Sequence, residues 1–206
     1  MGSELWPVIH VERSALAHDL ARLRPWQWEA QSMCGRWTVR EVTAHLTATA
    51  KMTPGHFIGH LAGSALRLDA MNAHQVLEEN RGSTARLLND FRAHLCDAAG
   101  PPWPTALVLG EIILHGQDIR RPLKIKYDYP QHAVLRVANV YKRTNLLVGA
   151  RHRVAGLRLR ATDADWSHGR GPEVTGPLLS LTLAMAGRSP AMDDLSGDGL
   201  DTLRSR

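Results

Sequence analysis

Residues 105–123 read TALVLGEIILHGQDIRRPL, and this stretch decides the architecture. Thr105 follows the break Gly100-Pro101-Pro102-Trp103-Pro104, and Pro122 ends the run, so one helix of about five turns is expected between them. Its stripe is Leu107, Glu111, Leu114/His115 and Asp118, with Ile113 and Ile119 beside it. A helix this apolar has to be packed among other helices. Glu111 and His115 are four residues apart, which puts both side chains on one face about 6 Å apart along the axis. Carboxylate and imidazole at that spacing can chelate one divalent ion, with a third ligand from another helix. The same spacing also suits a solvated ion pair on an exposed face. The apolar surroundings weigh against that reading, because a buried carboxylate needs a cation or hydrogen-bond donors.

On the N-terminal side the pattern stays helical. Residues 8–23 place Val8, Val11, Ala15, Leu16, Leu20 and Leu23 on one face. RPWQWEAQSMCGRW, with Pro25, Gly35, Trp26, Trp28 and Trp37, is a packed loop. Its tryptophans buttress the approach to the next helix or wall a ligand pocket. Thr38-Val39-Arg40-Glu41 forms a capping box, and the helix that follows carries Val39, Val42, Leu46 and Thr49 until Pro54-Gly55 interrupts it. Helical stretches are expected over 56–68 and 70–98, the second with Leu77, Leu87, Leu88, Phe91 and Leu95. His45, on the capped helix, is the candidate third ligand. Alone it also reads as a core histidine bonded to a backbone carbonyl. One histidine plus Glu-x-x-x-His on separate helices leaves a metal with an open coordination position, the catalytic pattern.

Past Pro130 one more helix is expected, with Val134, Ala138, Tyr141 and Leu146 facing inward. The character then changes. VAGLRLRATD alternates like a strand, DWSHGRGPEVTG reads as a glycine-rich turn with a second short strand, and LLSLTLAMAGR is an apolar helix ending at Gly187. SGDG is a turn signal. The expected organisation is mainly α, a metal-binding helical bundle over residues 1–148 and a small α/β appendage over 149–206.

Composition bounds the function classes. The chain has 206 residues, 44% of them hydrophobic and 22% charged, which suits a globular protein with a real core. Mean hydropathy is -0.24, and no apolar run approaches a membrane span. MGSELWPVIH lacks the basic and apolar regions of a secretory signal. With only Cys34 and Cys96, neither in a C-x-x-C arrangement, no disulfide framework or reactive thiol is expected, and a reducing cytoplasm is the expected compartment. The net charge of +5 and isoelectric point near 9.7 come from dispersed arginines, without the basic tract of a nucleic-acid binder. His56 and His60 also stand at i, i+4, yet follow Pro54-Gly55 without a nearby carboxylate. The remaining histidines are scattered singly.

Three motifs together, SMCGRWTVREVTAHL, GEIILHGQDIRRPL and GPEVTGPLLSLTLAMAGR…LSGDGL, resemble the mycothiol-dependent maleylpyruvate isomerase family of the actinobacterial DinB-like metal-binding four-helix-bundle superfamily. The resemblance spans nearly the whole chain. It implies a DinB-like four-helix bundle with a small C-terminal α/β appendage and a divalent metal, zinc most often, held by His45, Glu111 and His115. It implies mycothiol as thiol cofactor and a small electrophilic substrate, in a monomer or homodimer without nucleic-acid or membrane partners. The family's C-terminal arginine corresponds to Arg188, which would bind a substrate carboxylate. That arginine equally reads as a helix C-cap cation. Asp118 would orient a ligand from behind, or pair with Arg121. The implied chemistry is cis–trans isomerisation by thiol addition and elimination, or S-transfer. A thiol-independent Lewis-acid enzyme of a biosynthetic pathway and a non-catalytic metal- or thiol-binding protein are the alternatives.

Overall fold

The computed structural model describes residues 3–35, 37–146 and 148–206, so Arg36 of the SMCGRW stretch lies outside it. The chain divides into two compact units, Met1–Tyr127 and Asp128–Arg206.

The first unit is a helical bundle. Its elements are α1 (Trp6–Leu20), the short α2 (Pro25–Trp28), α3 (Val39–Lys51), α4 (Pro54–Gly63), α5 (Leu68–Glu79), α6 (Thr84–Ala93) and α7 (Thr105–Arg120). α3 packs against α5, α6 and α7, and α1 packs against α6 and α7. The four struts are therefore α1, α3, the broken pair α5–α6, and α7. Helix α7 is buried almost all round, from Leu107 to Arg120, as its apolar sequence requires. The capping box forms as expected: Thr38 Oγ1 accepts from the Glu41 amide at 3.3 Å, and Glu41 Oε2 accepts from the Thr38 amide at 2.8 Å.

Three expectations need correction. The segment 70–98 is two helices, because Gly82 turns with φ +92° and Ser83 caps α6 by accepting from the Arg86 amide at 3.2 Å. Leu77, placed on one helix with Leu87, Leu88 and Phe91, is 67% exposed while those three are buried. The α1 face is also rotated. Ile9, Leu16, Ala17 and Leu20 are buried with Glu12 and Arg13, while Val11 is exposed. Arg13 goes inside because its guanidinium donates to the Asp97 and His94 carbonyls at 2.9 and 3.3 Å, satisfying the chain end of α6.

Glu12 is buried beside Tyr127 and Arg120. Burial pushes its carboxyl up, against the opposing pull of the Tyr127 hydroxyl and the Arg120 charge. The folded chain holds that proton more tightly than the unfolded one, so ionised Glu12 destabilises the fold above the ordinary carboxylate range. Glu12→Gln is expected to raise the melting temperature by a few degrees at pH 7, with the gap closing as the pH falls through 4.5. Thermal melts at pH 7 and 4 check this.

The second unit contains α8 (Gln131–Tyr141), α9 (Ala150–Arg153), β1 (Arg158–Ala161), β2 (Ser167–Gly169), β3 (Glu173–Gly176), α10 (Leu178–Met185) and α11 (Leu200–Arg204). The strands form one sheet in the order β2-β1-β3, β1 antiparallel to β2 and parallel to β3. DWSHGRGPEVTG thus supplies two strands where one was expected. Gly169 and Gly171 allow this, at φ +82° and +128°, since a Cβ on either would strike a backbone carbonyl. α8 packs on α10, burying Val134, Val137, Ala138 and Tyr141, and so belongs with this unit rather than with the bundle. Leu146, read as inward, is exposed. The Asp163 carboxylate accepts from the Leu178 amide at 2.8 Å and closes the first turn of α10. No described helix is long and apolar enough to cross a membrane.

Candidate metal centre

The core of the first unit aims three side chains at one point. His45 comes from the middle of α3, and Glu111 and His115 come from successive turns of α7. His45 Nε2 lies 3.1 Å from Glu111 Oε2, and His115 Nε2 lies 3.4 Å from the same oxygen. Their ligand atoms all fall within 4.8 Å of one another. Both imidazoles are buried, and Glu111 keeps an exposed edge. The Trp37 ring lies 4.9 Å from His45 and 6.2 Å from His115, centroid to centroid, and covers the pair. Trp28 is buried at the end of α2, a short helix where a loop was expected, and Trp26 is largely exposed.

Behind His115 stands Asp118, fully buried, with Oδ2 2.9 Å from His115 Nδ1. The carboxylate accepts the Nδ1 proton and leaves Nε2 as the nitrogen that faces Glu111. Burial disfavours the charged form of each group, and the pairing overrides it. Bonds from His115 and His45 hold the Glu111 carboxyl well below its ordinary range. Bonds to Asp118 and Glu111 push the His115 imidazole up to about 9. Without a metal, the proton held on His115 supplies positive charge beside this carboxylate.

The donor chemistry fits a divalent ion of borderline softness. Two imidazoles and one carboxylate with coordination positions to spare is a set that zinc accepts. One imidazole already carries the supporting carboxylate that such ligands need. If the cluster binds metal, Asp118→Asn is expected to weaken affinity by about 10–100-fold without changing the stoichiometry at saturation. Competition against a chromophoric chelator reads this out.

The sequence profile of the mycothiol maleylpyruvate isomerase N-terminal domain matches residues 9–120. The chain belongs to this family. Two solved structures share the fold. The crystal structure of the mycothiol-dependent maleylpyruvate isomerase is 14% identical with a TM-score of 0.65, over 96% of this chain and 93% of that one. A histidine-to-alanine mutant of the mycothiol-dependent maleylpyruvate isomerase is 15% identical with a TM-score of 0.63, over the same shares. No protein of curated function matches the chain.

Within this family fold, one residue near the cluster was not legible in the sequence. The ligand atoms of Cys34, His115 and Asp118 also lie within 4.8 Å of one another. The loop brings Cys34 there by its own hydrogen bonds: the Met33 amide donates to the Asp118 carbonyl at 3.0 Å, and Ser32 Oγ donates to the Trp37 carbonyl at 2.5 Å. No motif spacing signals this, because the closure is tertiary. Cys96 is exposed.

Arg188 lies in the second unit, at the residue before a 3-10 turn (Ser189–Asp194). It is buried, and its NH1 donates to the Ala186 carbonyl at 3.0 Å, so the C-cap bond to the end of α10 is present. His56 and His60 do not join the cluster; they line a separate cavity with His74 and His94.

Proposed function

We propose that the chain is a metal- and mycothiol-dependent enzyme acting on a small conjugated electrophile, by cis–trans isomerisation or by S-transfer. The observation that carries this reading is the convergence of His45, Glu111 and His115 on one point of a buried wall. A divalent metal held by these three, zinc by the nature of the donors, would lower the pKa of a bound thiol and supply thiolate at neutral pH.

The chain's own residues do the rest. Glu111 brings the negative charge, and Asp118 acts as a positioning residue that fixes the His115 tautomer. Trp37 shields both imidazoles from water on one side. Arg188 is assigned to the substrate, where a guanidinium can clasp a carboxylate through two parallel bonds and neutralise a developing enolate. Thiolate sulfur adds to one carbon of a conjugated cis alkene, and the electron pair moves onto the carbonyl as enolate. The former double bond is now free to rotate. When the enolate pair returns, the carbon–sulfur bond breaks and the trans alkene leaves with the thiolate regenerated. S-transfer differs in that the enolate takes a proton and the carbon–sulfur bond stays.

The test is turnover of maleylpyruvate and related cis-enoates by metal-loaded chain, with and without mycothiol. Turnover is expected only with both metal and thiol. Arg188→Ala is expected to lower kcat by about 10²-fold with metal content unchanged, and Arg188→Lys to recover part of it. Turnover that ignores mycothiol would favour Lewis-acid chemistry instead. Binding of mycothiol with no product from any enoate would make the chain a binding protein.

A further inference from the structure

A cavity of about 340 Å³ opens where the last turn of α3 meets α4, α5 and the end of α6, and His56, His60, His74 and His94 line it. His56 and His60 stand four residues apart on α4, and His74 and Glu78 do the same on α5. Each pair shares one helix face, the spacing at which a helix offers two donors to one ion. His94 sits 2.6 Å from the Asp97 carboxylate through Nδ1, which leaves Nε2 as its ligating nitrogen. None of these residues belongs to the His45–Glu111–His115 cluster.

The charges round the cavity are paired, so they recruit no anion and leave the imidazoles as the donors. Lys51 at the rim is tied to Glu79 at 2.8 Å and Glu78 to Arg81 at 2.6 Å, so the lining offers no net positive charge. The choice among cations follows from donor type. Calcium and magnesium want oxygen ligands, whereas imidazoles suit borderline transition ions. We propose that this cavity is a second metal site, taking a divalent transition ion such as zinc through His56, His60 and His74, with His94 completing the set.

The ion would also close α4 onto α5. Among the described residues, the groups of three donors already within 4.8 Å of one another are both built on His115, so the cavity histidines must approach further. Helix α4 buries little of its surface. Phe57 is its one buried residue, seated with Met52 and Met71, and the helix exits through Ala65 and Leu66, at φ 51° and 62°. Side chains with a Cβ rarely adopt that left-handed conformation, and the Leu66 amide closes the turn there by donating to the Leu61 carbonyl at 2.9 Å.

The test is a zinc titration of the chelator-stripped full chain against a chromophoric competitor. Two classes are expected, one tight equivalent and a second at least about tenfold weaker. His56→Ala/His60→Ala should abolish the second class and leave the first. His74→Ala, on the other helix, should weaken the second class about tenfold. His45→Ala should do the reverse of the α4 pair, removing the tight class alone. All three cavity substitutions fall on exposed side chains, and circular dichroism checks that the fold is kept. Zinc binding that contains no class removed by His56→Ala/His60→Ala, whether one class or two is seen, overturns the proposal. The proposed centre at Glu111 stands or falls separately, by the fate of the tight class.

Discussion

Glu111→Ala is expected to empty the proposed metal centre, dropping occupancy from about one ion per chain to below about a tenth. Glu111 is the one anionic donor of the three, and its Oε2 is the atom that both imidazoles approach. Without it, two imidazoles on different helices would hold an ion far less firmly. His45→Ala should give a similar loss, because it removes the contribution of α3 and leaves only one helix as ligand. Glu111→Gln separates ligation from packing, since it keeps the volume and removes the charge. In the metal-free chain the substitution also strips His115 of one of its two anions, so the imidazole should titrate below about 9. Inductively coupled plasma mass spectrometry of purified, untagged variants measures the occupancy. Full occupancy in both Glu111→Ala and His45→Ala would remove these residues from the ligand set.

The second large effect is on stability. Arg120 is almost fully buried at the end of α7, donates through Nε to Asp19 Oδ2 at 2.8 Å, and lies 3.7 Å above the Tyr127 ring. Its charge also favours the ionised form of buried Glu12. Arg120→Ala removes the charge, the stacking and a large volume at once, and leaves acidic groups of α1 without their counter-ion. A cost of about 3–5 kcal/mol is expected, enough to threaten folding of a domain of ordinary stability. Arg120→Met keeps most of the volume, and adding Glu12→Gln to it should recover part of the loss, because the stranded charge is then gone. Urea unfolding of the unaltered chain, Arg120→Met, Glu12→Gln and the double variant forms the cycle. A loss below about 1 kcal/mol for Arg120→Ala would show that the burial of this guanidinium contributes little.

Local patterns carried most of the bundle. The capping box at Thr38 and Glu41 fixes the start of α3, and the apolar run between Pro104 and Pro122 fixes α7, so both helices were readable one turn at a time. The donors on α7 were readable for the same reason, since four-residue spacing is a property of a single helix. Errors arose where neighbours decide. Leu77, Leu87, Leu88 and Phe91 keep a helical rhythm across Gly82 and Ser83, and only the turn geometry breaks it into α5 and α6. The phase of α1 depends on partners for Glu12 and Arg13 that lie far along the chain. Cys34 reaches His115 and Asp118 through a loop held by one backbone hydrogen bond to α7 and another within the loop, and nothing in its own segment announces that. The membership of α8 in the second unit follows from its packing on α10, which a boundary drawn from composition does not reveal.

The most direct test of a metal centre that serves a thiol is a calorimetric titration of mycothiol into the chain. It is run with the protein loaded with one equivalent of zinc and again after chelation. Saturable binding of one mycothiol per chain to the loaded form, absent from the chelated form and from loaded-condition His45→Ala, is the expected result. Equal binding to loaded and stripped chain, or none to either, would contradict the account.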